Sequence, residues 1–254
     1  MALYAALTFW LVVIMFAAWG VHRIWSGLVR PRVVNSVLLP GTLVAELGHV
    51  LGLLLSGNSV QHITLMGDDD KGEPQADSAE APRLPIVGPI LVGLLPLVAC
   101  AACLYGAAQF WGSTILAGVA GTPAQQLPQI LPTTLPGLWE LLRDCITLTE
   151  VQFNAILHSD LPNPRTALFI YLAVCLTVRM APFAGNRRGA LGAAFLAALL
   201  VSAAGSLVPA VRTFIQVSTW PVLSFAVGML LFLLLVSLLV RGVIGLILIL
   251  TKNR

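Results

Sequence analysis

Long apolar runs with scarcely a charge alternate with short polar or proline-rich segments along the whole chain. The runs are Ala2 to Val21, Val33 to Leu55, Ile86 to Phe110, Arg165 to Pro182, Gly189 to Val211 and Trp220 to Leu250. A hydrocarbon core needs roughly 20 apolar residues per helical crossing. The pattern therefore predicts an all-α polytopic membrane protein of about six transmembrane helices, forming one integral membrane domain over residues 1–254. The first run lacks a basic leader and a small-residue cleavage site, so it reads as an uncleaved helix. Gly57 and Asn58 supply a stop for the second run. Pro89 and Pro96 are expected to kink the third. Arg241 and Gly242 interrupt the last, which is longer than one crossing needs.

The polar segments divide into two kinds. Residues 57–85 form a polar loop that opens with a short β-like stretch (Val60, Ile63, Leu65) and continues through Asp68, Asp69, Asp70, Lys71 and Glu73. That acidic cluster lacks the Gly-centred spacing and terminal Glu of a calcium loop, and reads as solvated. Residues 121–164 hold many prolines and an amphipathic stretch, Leu135 to Leu148. There Leu138, Leu141, Leu142 and Cys145 are expected to share a face on an extramembrane or interfacial segment.

Composition sharpens this picture. Hydrophobic residues make up 58% of the chain and charged residues 10%, against about 25% charged in soluble globules. Mean hydropathy is +0.92 and net charge +3. No basic face with interleaved aromatics suggests nucleic acid. Cys100 and Cys103 form a C-x-x-C inside an apolar run, where small packing residues are the simpler reading; Cys145 and Cys175 are single. Trp10, Trp25, Trp111, Trp139 and Trp220 fall near predicted helix ends, which suits an interfacial belt. The positive-inside rule favours cytoplasmic N- and C-termini and a cytoplasmic loop after Gly57, at the expense of the basic connector Arg23 to Arg32. The natural location is an integral protein of the bacterial inner (cytoplasmic) membrane.

Candidate chemistry concentrates in the second run. Two His at i and i+4 on one helix face can share a zinc ion, with an adjacent Glu polarising the bound water. In Ala45-Glu46-Leu47-Gly48-His49 the Glu and the second His stand, while alanine, which has no donor atom, occupies the first His position.

The segment Leu39 to His49, with Pro40-Gly41-Thr42 ahead of the motif and Gly57 after it, resembles the H-E-x-x-H helix of the site-2 protease family of intramembrane zinc metalloproteases. The later segment Met180 to Ala190 is similar to that family's proline-then-Asp-then-Gly region, with Asn186 where the Asp ligand falls. The resemblance implies Glu46 as a relic general base, His49 and Asn186 as relic or weak metal ligands, and Ala45 as the position of a lost ligand. His62 and His22 are the nearest substitute donors. A catalytic zinc wants three protein ligands and an open position, and one imidazole with a neutral amide falls short of that. The resulting expectation is a pseudoprotease without a resident cofactor, whose partners are transmembrane segments, membrane proteins and the lipid bilayer. Two alternatives stand beside it. One is an active zinc metalloprotease with a substitute ligand. The other is a small transporter or permease subunit in which Glu46 and His49 handle protons or ions.

Overall fold

The computed structural model describes residues 2–57, 62–64, 75–77, 87–113, 115, 126–180 and 187–252, with the backbone alone at 31, 62–64, 75–77, 87, 187–191, 193, 197 and 248–252. Helices dominate. In chain order they are α1 (Ala2–Leu28), α2 (Pro31–Val37), α3 (Leu39–Leu55), α4 (Val87–Trp111), α5 (Leu135–Leu157), α6 (Pro164–Val178), α7 (Arg187–Leu207), α8 (Pro209–Phe214) and α9 (Trp220–Lys252). A single π-helical turn, Ile215–Thr219, joins α8 to α9. Between α3 and α4 the backbone of His62–Thr64 pairs antiparallel with Gln75–Asp77, His62 opposite Asp77. Among the described residues, three helical stretches are long and apolar enough to cross a membrane: Ala2–Leu28, Gly88–Trp111 and Pro209–Ile247. Leu39–Leu55, Pro164–Val178 and Ala194–Leu207 are apolar but shorter.

Several sequence expectations meet corrections here. The run Val33 to Leu55 is two helices, because the backbone leaves helical geometry at Leu38 (φ −90°, ψ 15°) just ahead of Pro40. Pro40 has no N–H to give the carbonyl four residues back, that of Ser36, so a break between the two helices falls naturally there. The run Gly189 to Val211 likewise divides at Val208, before Pro209. Conversely, Arg241 and Gly242 leave α9 uninterrupted. The helix expected over Arg165 to Pro182 stops at Val178, capped at Arg179. Gly57 does act as the stop of α3: it alone among the described glycines has a positive φ (79°), and its N–H closes on the Leu54 carbonyl at 3.1 Å.

Packing places α1 against α9, α3 between α4 and α6, α4 against α7, and α5 on α9. One continuous core runs through Trp10, Leu38, Ala45, Leu104, Phe169 and Phe225. The amphipathic helix α5 extends nine residues past the predicted Leu148, and its buried face is Leu141, Leu148 and Gln152. Leu138 and Leu142, expected on that face, are each half exposed. Gln152 explains the shift: its amide donates to the Phe225 carbonyl at 2.8 Å, and its side chain fills the space left by Gly228. On this same helix, burial first and the neighbouring Asp144 carboxylate second push the Cys145 thiol above the ordinary thiol range. Alkylation of Cys145 by iodoacetamide, followed by intact mass with Cys145→Ser as blank, should therefore rise only at more alkaline pH than for a free thiol. Asp144→Asn should move that profile towards neutral pH, and an unmoved profile would leave burial as the whole cause.

Two tryptophans expected at the membrane interface are instead in the core. Trp10 is 1% exposed and Trp220 0%. The Trp10 indole N–H donates to the Pro128 carbonyl (3.3 Å) and that of Trp220 to the Leu127 carbonyl (2.7 Å). The Leu127 N–H donates in turn to Ser224 Oγ at 3.1 Å. Side chains of α1 and α9 thus satisfy a non-helical stretch of backbone that lies against them, as buried peptide groups require. Trp139, 72% exposed, and the partly exposed Trp111 keep positions compatible with a belt.

Candidate functional site

Helix α3 carries the motif, and its sequence explains how closely it is held. Pro40 stands in the first turn, where a missing N–H costs nothing. Gly41, Ala45, Gly48 and Gly52 then follow at helical spacing, making one stripe without bulky side chains. A Cβ at Gly41 would overlap the Cys175 carbonyl of α6. One at Gly48 would lie 2.7 Å from both the Leu95 carbonyl oxygen and Pro96 Cα of α4, and one at Gly52 would lie 2.8 Å from Val92 Cα. The stripe lets backbone meet backbone on two sides, as small residues do between membrane helices. Ala45 sits inside it, 0% exposed. Ala45 is therefore a helix-packing position in this protein.

Glu46 is buried next to the stripe, with Oε2 lacking a hydrogen-bond partner among the described residues. His49, one turn further, is half-buried. The side chain that reaches α3 at Gly41 was not singled out by any motif. Arg179, at the C-terminal cap of α6, is buried; its Cγ is 3.1 Å from the point a Gly41 Cβ would take, and its guanidinium donates to Asn35 Oδ1 of α2. Two further bonds tie the same corner together: Tyr171 Oη donates to the Val37 carbonyl at 2.8 Å, and the Cys175 thiol donates to that oxygen at 3.6 Å. The signal that points to Arg179 in the sequence is simply a charge inside an apolar run.

The structure thus places Glu46 and His49 on one helix, α3, His22 on α1, and the buried Arg179 at the N-terminal end of α3 beside Gly41 and Asn35. Asn186 and the side chain of His62 lie outside the described residues. Among the described residues no three His, Cys, Asp or Glu side chains gather as a metal set. The donor chemistry present agrees poorly with zinc: Ala45 offers no atom, and the motif keeps a single imidazole, His49. Cys100 is buried and Cys103 exposed, so the C-x-x-C adds no second site.

Comparison with known proteins leaves the assignment to these residues, since no family model, no curated protein and no solved structure matches the chain.

Proposed function

We propose that this chain is an integral membrane protein on a site-2-protease-like plan, without peptidase chemistry, that binds transmembrane segments of other proteins. The observation that supports this reading is the burial of Ala45 in the small-residue stripe. A position that supplies a ligand in an active enzyme of that family is here given over to helix packing. In this reading the shorter apolar helices α3, α6 and α7 complete the path through the bacterial inner membrane. The bound segment would be a partner helix admitted to the groove that admits substrate in the proteases.

The test uses the full chain purified in detergent and returned to liposomes. Metal analysis should find far less than one zinc per chain. A single-span membrane peptide carrying a photo-crosslinker should be captured and recovered uncleaved. Stoichiometric zinc together with cleavage that is lost in Glu46→Gln would overturn the proposal and establish an active metalloprotease with a substitute ligand.

A further inference from the structure

Contacts along α1, α7 and α9 fix the directions in which these helices run. The Trp10 and Trp220 indoles reach the adjacent carbonyls of Pro128 and Leu127, so the two residues stand at one level. Further along, a Cβ at Gly20 would lie 3.1 Å from Leu234 Cδ1, and the Trp25 indole N–H donates to Ser237 Oγ at 2.7 Å. Residue numbers rise together on both helices, so α1 and α9 are parallel. Helix α7 runs the other way: Tyr4 Oη occupies the space a Gly205 Cβ would take, while Met15 shares a small apolar cluster with Ala194. Both α1 and the stretch ending in α9 are long and apolar enough to cross a membrane. Parallel crossings deliver their C-terminal ends to one side.

Positive charge gathers at that end. Arg23, Arg30 and Arg32 lie in or just past the last turns of α1 and are exposed, as is Arg241, one turn beyond Ser237 on α9. Lys252 closes α9, and Arg187 and Arg188, which open α7, fall beside the last turns of α1 by the same register. Among the described residues of α1, α7, α8 and α9, the opposite end carries one basic residue, Arg212. No Asp or Glu occurs in α1, α2, α7, α8 or α9. In sequence the Arg23 to Arg32 connector competes with Arg187, Arg188 and Lys252 for the cytoplasmic side; the parallel register removes the conflict by bringing them all to one end. We infer that this end is cytoplasmic, that the first residues of α1 lie outside, and that Arg23, Arg30 and Arg241 bind headgroup phosphates of anionic phospholipids in the inner leaflet. Short basic connectors stay on the cytoplasmic side, and that leaflet supplies the negative charge. A guanidinium suits it, because its planar fork matches phosphate oxygens. Arg23 already sits over the Trp19 ring at 5.6 Å, a cation on an aromatic face.

The inference rests on the reading of the chain as an inner-membrane protein and not on the protease resemblance. Its test places a short epitope at each end of the full chain in bacterial cells. Protease added to intact spheroplasts should remove the N-terminal epitope and spare the C-terminal one until lysis. Both epitopes on one side would overturn the parallel crossing, and the reverse arrangement would overturn the cytoplasmic assignment. For the headgroups, the full chain should unfold at a higher midpoint in phosphatidylcholine vesicles containing phosphatidylglycerol than in phosphatidylcholine alone. The triple variant Arg23→Gln, Arg30→Gln, Arg241→Gln should lose most of that difference. No difference in the unaltered chain, or one of unchanged size in the variant, would overturn the headgroup contact. If the variant does not fold, the difference in the unaltered chain should close in about 1 M salt; one that survives overturns the contact. Epitopes on one side in a chain that captures peptide uncleaved would remove this topology and leave the proposed function standing. Epitopes on opposite sides in a chain that captures no peptide would do the reverse.

Discussion

Gly41→Ala is expected to cost this protein about 3 kcal/mol or more of stability, at the upper end for inserting a methyl group into a packed interior. The added Cβ meets a backbone carbonyl, that of Cys175, which has no rotamer through which to escape. Relief requires α3 and α6 to separate. Their separation would also loosen the Arg179 stem lying 3.1 Å away and the Tyr171 and Cys175 bonds to Val37. Gly106→Ala is the matched control: it lies in α4, and a Cβ there meets nothing within 4 Å. Alanine in an open helical position is worth roughly 0.5–1 kcal/mol over glycine. The two substitutions, identical in chemistry, should therefore move the unfolding midpoint in opposite directions. Equal effects would show that the α3–α6 contact is looser than this geometry.

Trp220→Ala is expected to destabilise by about 3–5 kcal/mol, the usual range for deleting a large buried aromatic. The indole is wholly buried, and its N–H holds the Leu127 carbonyl at 2.7 Å. Trp220→Phe separates the two contributions. It keeps most of the apolar volume but leaves the Leu127 carbonyl without that donor, for an expected cost of about 1–3 kcal/mol. The loss should also reach beyond α9, since Ser224 and Trp10 fasten the same stretch at Leu127 and Pro128. Limited proteolysis near residues 126–131 should accelerate in Trp220→Ala more than its global unfolding predicts. Unchanged cleavage there would mean that Ser224 and Trp10 suffice to hold the segment.

Some of this was legible from residues in line. The stop of α3 at Gly57 needs only the local backbone, and glycine meets the positive φ without strain. The amphipathic character of α5 was legible too, but its buried face was not. That face is set by where Gln152 finds the Phe225 carbonyl and the gap at Gly228, both on another helix. The helix breaks at Leu38 and Val208 were hidden because hydropathy continues across them, although Pro40 and Pro209 mark both places. Trp10 and Trp220 were misplaced because a tryptophan near a helix end suits an interface and a core equally; a buried carbonyl in reach of its N–H decides between them.

The motif region divides along the same line. Periodicity and composition are local properties, so they suffice for helices, for apolar spans of membrane length, and for Glu46 and His49 on one helix after Ala45. They say nothing of what lies opposite α3. Only the packed structure makes Ala45 part of the surface on which α3 meets its neighbours, and only it carries Arg179, more than a hundred residues downstream, onto Gly41. The reason is physical: helices approach closely where side chains are absent. What a glycine stripe admits, another backbone or the stem of a buried arginine, depends on the partner helix and not on the stripe itself.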